Sequence, residues 1–236
     1  MKNNQERWNL AQNYERTWWQ NQVEEIDLEF YSRFAREVTE DLKPFFSIKN
    51  NSYVLEIGSG AAGIITYIKS EHRFAIDPLE RFYSSVPKYV SVRDKKVIYS
   101  TAMAESLPFK GVSFDLIIID NVLDHCDVPD KVLSEMNRTL KPGGIVFFRQ
   151  NTYHFWGKVI RDIMEKMKID KGHPHTFLKS KLKNMIRDQK FRILYIKKGG
   201  YFKTWLKEIT SKRAYDKIKG ILFVNRDKTT YVLKKM

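Results

Sequence analysis

Cys126 is the single cysteine among 236 residues. That excludes an internal disulfide framework and a metal site built from cysteines alone, and fits an intracellular, reducing compartment. No apolar run approaches the roughly 20 residues needed to cross a bilayer, and the residues from Met1 to Gln12 are mostly polar, so no signal peptide is expected there. Internal repeats, Gly/Ser linkers and low-complexity tracts are missing too. What remains is a chain with 42% hydrophobic residues, enough for one sizeable core. Its length suits a single α/β domain with appendages better than two domains.

Acidic residues run short in one place only. Residues 1–178 hold 24 Lys and Arg against 24 Asp and Glu, whereas 179–236 hold 18 against 4, so the last segment carries the whole formal excess of +14. A block this basic implies an anionic partner, either nucleic acid, acidic lipid or a phosphorylated substrate, or else a solvated lysine-rich face. Within it Tyr201, Phe202, Trp205, Leu206 and Ile209 fall on one helical face, with Lys203, Lys207, Lys212 and Arg213 around it. This pattern is a basic amphipathic helix. It predicts peripheral contact with an anionic membrane through residues 200–224, with core packing as the alternative and nucleic acid as the weaker partner. The expected location is cytoplasmic, at most membrane-peripheral.

The stretch that organises the chain is Tyr53 to Gly63, an apolar run that breaks into Gly58-Ser59-Gly60-Ala61-Ala62-Gly63 and resumes as Ile64-Ile65-Thr66-Tyr67-Ile68. It reads as strand, tight turn, helix. Glycines spaced G-x-G-x-x-G let the backbone turn sharply and approach a ligand, and the following helix start offers free N–H groups. The run Arg73 to Asp77 then delivers a carboxylate at the end of a second parallel strand, where ribose hydroxyls need an acceptor. Glu56, two positions before the first glycine, would repel a pyrophosphate but can help hold the ammonium of a methionine moiety.

Around this centre the remaining elements follow from periodicity. Residues Glu6 to Phe46 carry apolar positions at helical spacing and predict two or three helices, whose aromatics Trp8, Tyr14, Trp18 and Trp19 read as sheet packing before ligand lid. A helix is expected over Leu79 to Tyr89 and a strand at Val97 to Tyr99. The next strand, Phe114 to Ile119, is apolar at consecutive positions and so buried on both faces. Val128 to Leu140 reads as a helix stopped by Pro142-Gly143-Gly144, and Ile145 to Phe148 as a strand. Phe155, Trp156, Val159, Ile160, Ile163, Met164 and Met167 form a helical stripe, read as core or substrate wall. A helix at Leu178 to Ile186 and strands at Phe191 to Ile196 and Thr230 to Leu233 complete the chain.

The run Val54 to Gly60 resembles motif I of the class I S-adenosylmethionine-dependent methyltransferases. Ala104 to Phe109, Ser113 to Ile118, Val122 to His125 and Leu140 to Gly144 resemble that family's later motifs, in its order. The resemblance implies a Rossmann-like three-layer α/β sandwich: a seven-stranded, mostly parallel sheet with one antiparallel strand and an N-terminal helical extension. It divides the chain into a helical lid or cap (1–47), a cofactor-binding half (48–150) and substrate-side elements with the basic segment (151–236). It implies S-adenosyl-L-methionine as cofactor, held by Glu56, Gly58, Ser59, Gly60, Asp77, Pro78, Met103, Ala104, Glu105, Asp120 and Asn121. The family often has a carboxylate for the adenine amino group where this chain has Met103. It also marks its nitrogen-methylating branch with Asn or Asp followed by Pro-Pro and an aromatic; Asp120-Asn121-Val122-Leu123 lacks that, which favours an oxygen or aliphatic acceptor.

Transfer from a sulfonium needs alignment above all, but a hydroxyl acceptor must lose a proton, and a histidine is the usual recipient. His125, His154 and His173 are the candidate bases. His173-Pro174-His175-Thr176-Phe177 also resembles an element of small methyltransferases in sugar and glycan pathways, alongside its reading as a plain helix-entry turn. No metal is expected, since His173 and His175 lack an obvious third ligand. The reading is therefore a methyltransferase acting on a small-molecule or sugar hydroxyl. The alternatives are a nicotinamide-dependent oxidoreductase, a nucleic-acid methyltransferase, or a module that binds the cofactor without turnover.

Overall fold

The structure is a computed structural model that describes residues 2–167, 173–212 and 214–236. Two helices open the chain, α1 (Lys2–Asn21) and α2 (Leu28–Leu42), the second started by Asp27, whose side chain accepts the Phe30 N–H. Then come β1 (Tyr53–Ile57), a 3₁₀ turn (Ile64–Tyr67), β2 (His72–Asp77), the short helices α3 (Glu80–Ser84) and α4 (Pro87–Ser91), and β3 (Val97–Thr101). Strand β4 (Phe114–Asp120) leads through a second 3₁₀ turn (Leu123–His125) into α5 (Pro129–Thr139) and β5 (Leu140–Thr152). The remainder is α6 (Phe155–Lys166), α7 (Lys179–Asp188), β6 (Phe191–Gly199), α8 (Tyr201–Ile209), α9 (Ala214–Ile221) and β7 (Asp227–Lys235).

The seven strands form one sheet in the order β3-β2-β1-β4-β5-β7-β6, parallel except for β7, which runs antiparallel to both its neighbours. Alternate residues of β4 feed two cores. Ile117 and Ile119 face Val132, Leu133, Leu182 and Ile186, while Leu116 and Ile118 face Phe34, Val38 and Leu42 of α2. This is the three-layer sandwich that runs of consecutive apolar strand residues require. Strand order reverses between β1 and β4, so their carboxyl ends diverge and leave a crevice.

Several sequence expectations change here. The segment after the glycines is a single 3₁₀ turn rather than an α-helix, leaving to an extended backbone at Ile68, and Glu56 takes the otherwise free N–H groups of Ile64 and Ile65 at 3.1 and 2.9 Å. The helix expected over Leu79 to Tyr89 splits into α3 and α4, with Pro87 in the first turn of α4 rather than near an end. Strand β5 begins at Leu140 and runs through Pro142-Gly143-Gly144, with a register shift against β4. The α6 stripe is neither core nor cavity wall. Phe155, Trp156, Ile163 and Met167 are exposed, Val159, Ile160 and Met164 are half-buried, and none of them lines the cavity. Among the described residues no helix is long and apolar enough to cross a membrane.

Candidate active site

A cavity of about 700 Å³ occupies the crevice at the carboxyl ends of β1 and β4. Its floor is the glycine turn. Gly58 and Gly60 hold φ of 72° and 58°; a Cβ on Gly58 would sit 2.3 Å from Val122 and one on Gly60 2.8 Å from the Trp19 ring, so conformation and space both demand glycine. At one end Asp77 closes β2, its two oxygens accepting the N–H groups of Gly60 and Leu79 at 3.0 and 2.9 Å. Burial pushes its carboxyl up to about 6 against the pull of those two bonds. Burial likewise raises Glu56 to about 8, with Asp120 and Asp77 adding like charge. The cavity is thus an acidic, desolvated space suited to a cationic or hydroxyl-rich ligand.

All eleven residues assigned to the cofactor from sequence line this cavity, from Glu56 and Gly58 through Pro78 and Met103 to Asn121. Their carboxylates do not all face it freely. Both oxygens of Glu56 are held by Ile64 and Ile65, Glu105 accepts the Asp127 N–H at 2.7 Å, and Asp120 forms a two-bond pair with Arg149 at 2.6 Å. Asn121 has a left-handed backbone with φ of 55°, a strained conformation of the sort that clusters at functional sites. Its side-chain oxygen accepts from Gln150 and from the Asn151 N–H.

The histidines separate. His125 and His173 line the cavity, their rings 4.7 Å apart. With buried Asp124 they form a trio whose ligating atoms lie within 4.8 Å of one another. The sequence reading missed Asp124 as their companion. Gln150, fully buried, pins this corner by donating to Asp124 at 2.8 Å and accepting the Leu123 N–H at 3.2 Å. His154 is elsewhere, capping α6. Its Nδ1 accepts the Gly157 N–H and its Nε2 contacts the Phe223 carbonyl, which fixes the Nε2–H tautomer and leaves no nitrogen for a substrate proton. His175 Nε2 faces the Asp127 carbonyl instead. Cys126 is buried, and burial raises its thiol well above the usual range, so it is no nucleophile.

Helix α1 supplies the roof, which composition alone could not locate. Trp8, Gln12, Tyr14, Glu15, Trp18 and Trp19 all line the cavity, and Trp19 packs edge-on against Tyr83 and Tyr89. The aromatics read as sheet packing are cavity wall. Gln12 Oε1 is buried there without a hydrogen-bond partner, an acceptor left for a donor on a ligand. Tyr31 and Tyr83 also line it, and burial first, then Glu56 for Tyr31 and Asp77 for Tyr83, keeps both phenols protonated as donors. Sequence gave no signal for Tyr31, Tyr83 or Gln150, which are single residues without a motif.

Residues 55–148 match the methyltransferase domain family. The chain is 28% identical over 123 residues to a malonyl-(acyl-carrier protein) O-methyltransferase of a Marinomonas species, covering 50% of this chain and 45% of that protein. It spans less than half the length of the curated relatives it matches. Among solved structures it resembles the (4+2)-cyclase SpnF, with a TM-score of 0.65, 16% identity and coverage of 97% and 95% of the two chains. Geranyl diphosphate C-methyltransferase from Streptomyces coelicolor gives a TM-score of 0.64 at 11% identity over 86% and 80%. The matched segment holds the glycine turn, Asp77 and β4, and the fold is shared with solved methyltransferase structures, one of them in complex with S-adenosyl-L-methionine. The cavity fits that group. Its size lies within the ordinary range for such ligands, Asp77 stands ready for ribose hydroxyls, and Gln12 Oε1 awaits a donor.

Proposed function

We propose that this protein transfers a methyl group from S-adenosylmethionine to a hydroxyl of a small molecule, with sugars and glycans among the candidate acceptors. One observation carries the reading: a single cavity whose lining joins the glycine turn and Asp77 to the pair His125 and His173. Bound S-adenosylmethionine supplies a methyl group on a sulfonium, which leaves without acid assistance. The chain then has three tasks. Asp77 and the backbone at Met103 and Ala104 hold the adenosine end, and Glu56 and Tyr31 line the methionine end. Helix α1, with residues 1–47 acting as a lid, excludes water. His125 or His173 accepts the acceptor's proton, with Asp124 stabilising the imidazolium that forms. Residues 48–150 form the cofactor half and 151–236 the substrate side.

Asp124, His125 and His173 also offer a donor set that a metal ion accepts, but one Asp124 oxygen is already engaged by Gln150. The proton-transfer reading predicts turnover unchanged by a chelator. We also propose peripheral contact with anionic membranes, since Phe202, Leu206, Ile218 and Ile221 are exposed beside Lys203, Lys207 and Lys217.

The test is transfer of a labelled methyl group from S-adenosylmethionine to hydroxyl-bearing small molecules, alongside thermal shifts with S-adenosylmethionine, S-adenosylhomocysteine and NAD. Stabilisation by the first two and a labelled, base-stable ether or an ester product support the reading. Stabilisation by NAD alone overturns it in favour of an oxidoreductase, label in RNA alone in favour of nucleic acid, and binding without product in favour of a non-transferring module.

A further inference from the structure

Beside the main cavity lies a second of about 180 Å³, lined by Phe30, Asp120, Asn121, Arg149, Asn151, Arg226 and Lys228. The two share Phe30, Asp120, Asn121 and Arg226, so the smaller opens on the edge where transfer takes place. Its charge is lopsided, with three cations against the single carboxylate of Asp120. That carboxylate is spent on Arg149, which holds both its oxygens at 2.6 Å while its guanidinium lies 3.6 Å over the Phe34 ring. Arg226 and Lys228 form no ion pair with any described residue.

Strand geometry explains the grouping. Arg149 and Asn151 are two apart on β5, Arg226 immediately precedes β7 and Lys228 is its second residue, and Asn151 pairs with Lys228 across the ladder. Residues two apart on a strand share a face, so β5 and β7 present their polar groups together toward α2. The Lys228 ammonium is partly enclosed, and burial first, then Arg149, lowers its pKa. A fixed anion there would relieve both effects.

From this geometry we infer that Arg226 and Lys228 bind an oxyanion, a phosphate or a carboxylate, carried by the methyl acceptor itself. The inference rests on the proposed transferase reading and narrows its substrate class to anionic small molecules. Arg226, bordering both cavities, orients the acceptor by its anionic end, with Phe30 available to the apolar part between anion and hydroxyl. Two charge-assisted contacts to one oxyanion give affinity and direction together.

Calorimetric titration of the protein saturated with S-adenosylhomocysteine tests this, using inorganic phosphate in one arm and malonate in another. The expected result is saturable binding of at least one oxyanion, weakened by about tenfold or more in Arg226→Gln/Lys228→Gln while S-adenosylhomocysteine affinity stays within about twofold. Selectivity between the arms tells a phosphorylated acceptor from a carboxylated one. An unchanged thermal transition verifies that the variant folds. Binding equal in variant and parent, no binding of either anion, or loss instead in Lys203→Gln/Lys207→Gln overturns the inference. Failure of S-adenosylhomocysteine to bind at all overturns the transferase reading instead, and phosphate titration of the free protein still reports on the cationic subsite.

Discussion

Asp77 is nearly buried at the end of β2, its carboxyl held near neutrality by desolvation and its oxygens each engaged by one backbone N–H. Each oxygen keeps a lone pair for a ribose hydroxyl. Asp77→Ala is expected to weaken S-adenosylhomocysteine binding by about 1.5–3 kcal/mol, the value of hydrogen bonds to a charged group, as read by calorimetry; affinity within twofold of the parent would remove Asp77 from the site. The histidines divide the same way. His125→Gln or His173→Gln should lower turnover by about 10²-fold or more, the ordinary worth of a positioned base, with cofactor affinity kept. His154→Gln should instead lower the melting temperature and leave kcat intact, because it touches Gly157 and the Phe223 carbonyl rather than the cavity.

Helix α1 has few reasons of its own to stay where it is, being polar along much of its length. It is held by Arg7, which pairs with both oxygens of Glu165 on α6, by the Tyr89 hydroxyl on the Trp19 carbonyl, and by Trp19 itself between Tyr83 and the glycine turn. Trp19→Ala should therefore open the roof and raise the Kd for S-adenosylhomocysteine by about tenfold or more, a loss comparable to a buried aromatic contact, while far-ultraviolet circular dichroism stays nearly constant. An unchanged Kd would reduce α1 to packing. The α8 and α9 hairpin behaves oppositely to the single amphipathic face expected from sequence. Trp205 is taken inside it, stacked on Phe223 and donating to the Gly220 carbonyl, whereas Phe202 and Leu206 project outward. Arg213, counted among the charges of that face, lies outside the described residues. Phe202→Glu/Leu206→Glu is thus the change expected to abolish co-sedimentation with anionic vesicles, and Trp205→Glu the one expected to unfold the hairpin. Equal sedimentation of parent and Phe202→Glu/Leu206→Glu would dismiss the membrane contact.

Across the molecule the two raised carboxyls set a pH response. With folded pKa values of about 8 for Glu56 and about 6 for Asp77, against 4.5 and 3.8 ordinarily, the native state keeps protons that the unfolded chain has already released. Their contribution to stability therefore declines as pH rises from about 4 through 8. Thermal unfolding should show that decline in the free protein and a shallower one in Glu56→Gln. Saturating S-adenosylmethionine should flatten it further, because its positive charge draws both groups toward the ionised form. Binding should accordingly release protons at pH 7, seen as a dependence of the calorimetric heat on buffer. A free protein whose stability rises over that range, or identical slopes in parent and Glu56→Gln, would contradict the assignment.

The α/β class, the sheet of seven strands, the glycine turn and the part of the cavity lined by that turn and Asp77 were legible in the residues themselves. Local causes are enough for these: strand runs apolar on both faces, glycines where φ must be positive, a carboxylate at the end of the second strand. The family match over residues 55–148 falls on the segment where those local signals are densest. Whatever depends on contacts distant in sequence was not legible. Hydrophobic periodicity identifies an apolar face but not its occupant: Phe155 and Trp156 of α6 project outward, and Trp205 packs inside its hairpin while Phe202 and Leu206 do not. Glu56 turned inward because its strand position left it facing two free N–H groups that otherwise nothing would satisfy. His125 and His173, 48 residues apart, meet only because residues 173–175 lie against the turn that follows β4, where the His175 N–H donates to the Asp124 carbonyl. Arg226 and Lys228 become a cationic subsite only because β7 inserts antiparallel beside β5, a pairing set by tertiary packing rather than by any local pattern of charge.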